Sequence, residues 1–205
     1  MSLKEAWKKL WFLIWKDNSL KGWIFSIIFI FLFIKFIFFP ALSLATGTPL
    51  PLAIVESCSM YHKGNIFSDF DSWFERHEEK YSEFEIDDSK FLGFPMKSGF
   101  NKGDILFVIG TNSEKLKEGD IIIFGSNQRN PIIHRIVDIK EANGIKVFST
   151  IGDNNGGQLE FEKEITEDQI IGKASLKIAP YLGWVKLIFY EWQKSESERG
   201  SCNER

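Results

Sequence analysis

The 205-residue chain has few cysteines and few histidines, two and three respectively. Cys58 and Cys202 are too few for the disulfide framework that staples small exported domains. There is no His-Glu-x-x-His and no Cys-x-x-Cys, so no set of zinc ligands is present and neither a metal nor a cofactor is expected. A cationic surplus is lacking too. The net charge is -3, and no Lys/Arg stripe stands outside the N-terminal leader, which sets nucleic acid aside as a partner. The length suffices for one anchor and one domain of roughly 140 to 160 residues, without a second enzymatic domain.

One long apolar run is present. Gly22 to Phe39 reads GWIFSIIFIFLFIKFIFF with Lys35 as its single charge, and the weaker ALSLA follows Pro40. A run of about 18 residues covers most of a hydrocarbon core, so a transmembrane helix is expected over 21–45. Lys35 is placed toward the outer interface, where its stem reaches the headgroups. Lys4, Lys8, Lys9, Lys16 and Lys21 outnumber Glu5 and Asp17 before the span, which keeps residues 1–20 in the cytoplasm. Leu3, Trp7, Leu10, Trp11 and Ile14 recur at helical spacing, predicting an interfacial amphipathic leader. The rival is a cleaved signal peptide ending near Ser43-Leu44-Ala45, which also exports the remainder.

The exported part, 46–193, reads as mainly β. Apolar runs punctuated by turns predict strands over 52–55, 104–109, 120–124, 132–139, 145–150 and 170–178. Asp104 and Asp120 follow glycines and lead into ILFVI and IIIF, so they are expected to shape turns at strand starts. Residues 61–102 form an acidic, aromatic insertion in which Phe70, Trp73, Phe74, His77, Tyr81 and Phe84 share a helical face. It reads as a helical excursion packed on the domain or as a lid beside the site. The segment after Gly183 is too short to span a membrane and is expected to be an interfacial or packed helix. A charged tail, 194–205, follows.

Ser57-Cys58-Ser59-Met60 stands shortly after the apolar run. A serine hydroxyl needs a base to attack a carbonyl, and imidazole suits that task near neutral pH. In Ile133-His134-Arg135-Ile136 the histidine points the same way as Ile132 and Ile136, so His134 reads either as that base or as a core histidine. His62 and His77 read as solvated surface residues. Asp153, in Gly152-Asp153-Asn154-Asn155, is either the carboxylate that orients a base or a plain turn residue.

In this order, Glu56-Ser57-x-Ser59-Met60, Gly103-Asp104, Ile133-His134-Arg135-Ile136, Gly152-Asp153-Asn154-Asn155 and Ile171-Gly172-Lys173-Ala174 resemble type I signal peptidases of the archaeal and endoplasmic reticulum branch. The resemblance extends from about Leu52 to Trp184 behind an anchor. It implies a mainly β catalytic domain on the outer face of the cell membrane, with one N-terminal transmembrane helix. Ser59 would be the nucleophile, His134 the general base and Asp153 the acidic partner. The Ser59 N–H and the Ser57 hydroxyl would stabilise the oxyanion.

The implied reaction is removal of signal peptides from exported preproteins after small-x-small sites. The precursor would lie as an extended strand beside Leu52, Ala53, Ile54 and Val55. Signal peptides, the lipid bilayer and the protein translocation channel are the expected partners. Two positions depart from the pattern. Cys58 stands where relatives carry glycine, and Leu159 stands where many carry a second aspartate, for which Glu160 or Glu162 could substitute. The alternatives are a silent relative that binds signal peptides or assists a membrane protease complex, and a hydrolase using the Cys58 thiol.

Overall fold

The computed structural model describes residues 2–63, 70–128, 130–142 and 144–203. It divides into two units, 1–45 and 46–205.

The first unit is helical. Helix α1, Leu3–Trp15, begins with a capping box in which the Ser2 hydroxyl accepts the Glu5 N–H and the Glu5 carboxylate accepts the Ser2 N–H. Helix α2, Leu20–Phe33, starts at the Ser19 cap and continues through a π-helical turn, Ile34–Phe38, into α3, Phe39–Thr46. The π turn has a local cause. Pro40 has no N–H to give and its ring crowds the carbonyl four residues back, and the widened turn lies immediately before it. From Leu20 to Thr46 the helix has 27 residues, about 40 Å, which by length and composition is enough to cross a bilayer. Lys35 lies over the Phe31 and Phe36 rings.

The second unit is built on a six-stranded antiparallel sheet. Its strands are β1 (Leu52–Ile54), β2 (Ile105–Ile109), β3 (Ile121–Phe124), β4 (Ile132–Ala142), β5 (Ile145–Ile151) and β6 (Ile170–Ala179), in the order β1-β2-β6-β3-β4-β5. The alternating direction of side chains along a strand explains how one short run serves two cores. In β3, Ile121 and Ile123 join Ala53, Val55, Met60, Leu106 and Val108 on one face. Ile122 and Phe124 turn to the other and pack with Leu116, Ile136, Phe148 and Ile165. A strand covered on both faces has no polar position, hence the unbroken IIIF.

The two aspartates at strand starts close turns as expected. Asp104 Oδ2 accepts the Asn101 N–H at 2.8 Å and Asp120 Oδ2 accepts the Lys117 N–H at 3.0 Å. Gly103 has φ +91, and a Cβ there would lie 2.3 Å from the Trp184 ring, so both conformation and space require glycine.

The insertion is helical in short pieces, α4 (Phe70–Glu75), α5 (Glu78–Ser82) and α6 (Asp88–Leu92). Phe70, Trp73, Phe74, Tyr81, Ile86 and Phe91 gather into a third core that closes on Val137 of β4 and Ile151 of β5. Burying each large aromatic contributes about 1.5–3 kcal/mol, which holds the excursion against the sheet. Residues 64–69 of the insertion lie outside the described residues. His77 corrects the sequence reading. It is buried, with Nδ1 2.7 Å from the Trp73 carbonyl, because the helical face that carries the aromatics carries it inward as well. After β6, α7 is a single turn, Trp184–Leu187, in which Leu187 is buried while Val185, Ile188, Phe189 and Trp192 are exposed.

The cysteines also differ from expectation. Cys58 and Cys202 form a disulfide with a Cα–Cα distance of 5.3 Å across 144 residues of sequence. Two cysteines make no framework, yet one bridge suffices to tie the tail to the serine turn. Lys102, almost fully buried, holds the same tail by donating to the Glu198 and Gly200 carbonyls and to Glu191. Replacing Cys202 by serine is expected to lower the unfolding free energy by about 2–4 kcal/mol, read from urea titration of the full chain in detergent.

Candidate active site

Ser59 lies in a turn closed by the Tyr61 N–H on the Cys58 carbonyl at 3.1 Å. Met60, next in the chain, is buried against the β1 core, and its carbonyl accepts the Phe100 N–H at 2.7 Å. With Met60 drawn inward, Ser59 remains partly accessible. Its hydroxyl lies 3.1 Å from the Ser57 hydroxyl.

His134 is 5% exposed in β4. Its Nδ1 bonds the Glu162 carboxylate, which comes from a 3₁₀ turn, Glu160–Glu162, packed beside β5. The other Glu162 oxygen accepts the Leu159 N–H at 2.6 Å, so the carboxylate is fixed from both sides. A carboxylate on Nδ1 selects the tautomer with hydrogen there and leaves a lone pair on Nε2, the form a general base needs. Nε2 lies against Gly152. A Cβ on that residue would stand 2.9 Å from it.

The turn that carries Gly152 also holds the serine. The Asn154 N–H donates to the Ser59 carbonyl at 2.7 Å, and the Asn154 side-chain amide donates to the Cys58 carbonyl at 3.0 Å. The same amide reaches the Asn203 carbonyl in the tail. Both the serine turn and the imidazole therefore abut residues 152–155. Among the described residues no hydrogen bond joins Ser59 Oγ to His134, and catalytic contacts of this kind often tighten only when substrate binds.

Asp153 is not the partner of His134. Its side chain points away from the imidazole to a fully buried, bidentate pair with Arg135, at 2.9 Å from Nε to Oδ1 and 2.7 Å from Nη2 to Oδ2. The Tyr81 hydroxyl donates to Oδ1 at 2.9 Å and His62 Nε2 lies 2.9 Å from Oδ2. Arg135 uses its remaining donors on the Pro95, Met96 and Gly119 carbonyls. The reason is alternation along β4. His134 and Arg135 are adjacent and so face opposite ways, and the one carboxylate of the 152–155 turn goes with the arginine.

Burial alone would push the Asp153 carboxyl up, but Arg135 and His62 outweigh it and hold the group well below the usual carboxylate range. His62 corrects the expectation of a solvated loop. It is largely buried, stacked on Trp73 with centroids 3.8 Å apart, and burial lowers its pKa more than Asp153 raises it. Tyr81 is pushed well above its ordinary value by burial and by the neighbouring Asp153.

Of the other expected site residues, Glu160 is exposed and pairs with Lys163 at 2.6 Å, away from the imidazole. Leu52, Ala53 and Ile54 form β1, with Val55 just after it. Among the described residues β1 is an edge strand with β2 as its one neighbour, and its other side has no partner in the sheet. Cys58 is spent in the disulfide, so no thiol is present there to act as a nucleophile. The roles of His62, Tyr81 and Arg135 were not read from the sequence. An arginine within an apolar strand was the available sign, since arginine is almost never fully buried without a partner.

Replacing Asp153 by asparagine strips a buried guanidinium of its counter-charge. Expected is a loss of about 3–5 kcal/mol in unfolding free energy, measured by urea titration. Because the folded pKa of Asp153 is depressed, its stabilisation is present above the unfolded carboxyl pKa of about 4 and is lost as pH falls below it. The asparagine variant is expected to show a weaker loss of stability over that acid range.

No family model matches the chain. Curated proteins do. The chain is 31% identical over 110 residues to the signal peptidase complex catalytic subunit SEC11C of Homo sapiens, covering 50% of this chain and 57% of that protein. It is 34% identical over 105 residues to the signal peptidase complex catalytic subunit SEC11 of Lachancea thermotolerans, covering 47% and 61%. A third, SEC11 of Colletotrichum graminicola, is 31% identical over 113 residues, covering 51% and 65%. The match thus takes in about half of this chain and somewhat more than half of each relative. The resemblance to type I signal peptidases of the endoplasmic reticulum kind holds.

Proposed function

We propose that this chain is a membrane-tethered serine endopeptidase that removes signal peptides from exported precursors. The carrying observation is the fixed imidazole. His134 is held through Nδ1 by Glu162 and presents Nε2 to the same short turn that grips the Ser59 carbonyl. The similarity to catalytic subunits of signal peptidase complexes supports the substrate class. A helix long enough to cross a membrane supports the tether, with the second unit on the exported face, where a disulfide persists. The precursor would join the open side of β1 as an added strand, and a small-x-small cleavage region would allow its close approach.

In this reading His134 Nε2 takes the Ser59 hydroxyl proton as Oγ bonds the scissile carbonyl carbon. The developing oxyanion is met by the Ser59 N–H and the Ser57 hydroxyl. The imidazolium, stabilised by Glu162, then gives its proton to the leaving amine as the C–N bond breaks. Water, deprotonated by the same nitrogen, releases the acyl group and restores the serine. Asp153 contributes by keeping the 152–155 turn in shape rather than by contacting the base.

Cleavage of a model preprotein in liposomes tests this. Ser59→Ala is expected to abolish cleavage, and Glu162→Gln to lower kcat by about 100- to 10,000-fold through loss of the correct tautomer. Equal cleavage by native chain and Ser59→Ala would move the nucleophile elsewhere. A folded native chain that binds signal peptides without cutting them would favour the silent reading, to which the unformed Ser59–His134 hydrogen bond is the pertinent observation.

A further inference from the structure

Lys80, in α5 of the insertion, is a buried cation aimed at the back of the site. Its ammonium donates to the Asp153 carbonyl at 2.6 Å, the Asn155 carbonyl at 2.7 Å and, more weakly, the Gly152 carbonyl at 3.4 Å. These three oxygens belong to the turn that abuts His134 through Gly152 and holds the Ser59 and Cys58 carbonyls through Asn154. While protonated, the group has three hydrogens for three acceptors and no lone pair for base chemistry. Lys80 is 7% exposed, and the neighbouring Tyr81 grips the same turn through the Asp153 carboxylate.

We propose that Lys80 is a positioning residue. By clamping three carbonyls of the 152–155 turn, it sets the distance between the serine turn and the imidazole, so that the insertion serves as part of the catalytic scaffold. This rests on the preceding reading of Ser59 and His134. The geometry gives the reason for a cation at this place. Three converging carbonyls in a buried turn repel one another, and a charged triple donor satisfies them at once where a neutral side chain would leave at least one unmet. Charge-assisted bonds inside the protein are strong and directional, and an error of about 1 Å in a catalytic contact can cost 100-fold in rate.

The charge on Lys80 is itself conditional. Burial lowers its pKa to about 8, against the opposing pull of Asp153 and Glu162. The other titratable groups around it are His62 and Tyr81, with Arg135 beyond Asp153. The Lys80 pKa is depressed, so the clamp is intact below about pH 8 and loosens as pH rises through that value. Tyr81 is held protonated well beyond that range and does not contribute to the loss.

The test is cleavage of a model preprotein by the full chain in liposomes, with kcat and KM resolved from pH 6 to 10. Lys80→Met is expected to lower kcat about 10- to 100-fold with KM within a few-fold. Native enzyme is expected to lose kcat as pH rises through about 8, and Lys80→Arg, which keeps its charge, to hold its rate into the alkaline range. A folded Lys80→Met variant with native kcat overturns the proposal. Should that variant fail to fold, a flat native kcat profile between pH 7 and 9 overturns it instead. Ser59→Ala, measured alongside, separates the two readings. If it cleaves like the native chain, the site assignment fails, whereas an inert Ser59→Ala with an unaffected Lys80→Met sinks the clamp alone.

Discussion

The buried pair of Arg135 with Asp153 is the interaction on which the rest of the second unit's working end depends. Two charges removed from water are tolerated only if nearly every donor and acceptor is used, and here they are. The guanidinium reaches three carbonyls besides the carboxylate, and the carboxylate takes Tyr81 and His62 as well. The pair and its partners come from β4, the 152–155 turn, the segment after Ser59, the insertion, the loop before Phe100 and the turn before β3. One ion pair thus ties six segments together.

That arrangement separates two tasks among the acidic residues. Asp153 braces, and Glu162, nine positions farther along, meets the imidazole. Sequence alone separates them poorly because both lie in turn-rich chain after β5, and the direction of each side chain depends on φ and ψ of a few irregular residues. The facing of His134 was legible, since period-two alternation along β4 put it with Ile132 and Ile136. The same alternation required Arg135 to look the other way, but which carboxylate waited there depended on tertiary folding. Asp104 and Asp120 were legible because an aspartate before an apolar strand acts within three residues of itself.

The disulfide was not legible for a related reason. Pairing of cysteines 144 residues apart is decided by where the fold brings the tail, and nothing local in the charged segment 194–205 marks that. Lys102 steers the tail by donating to its carbonyls from a buried position, a signal that spacing does not carry. The aromatic stripe of the insertion was plain, whereas the burial of His62 was hidden. It stands outside the stripe, and it becomes buried only because Trp73 arrives from α4 to stack on it.

The bridge from Cys58 to Cys202 has a consequence in time. At a translation rate of about 5–20 residues per second, the segment around Ser59 is made roughly 7 to 30 s before Cys202 exists to meet it. Through that interval the serine turn is without its covalent tie, and Asn154 has only part of its carbonyl cage. The nascent chain consequently carries its serine in an unfinished setting, and that corner is complete only when the sheet has folded and the tail has also been oxidised.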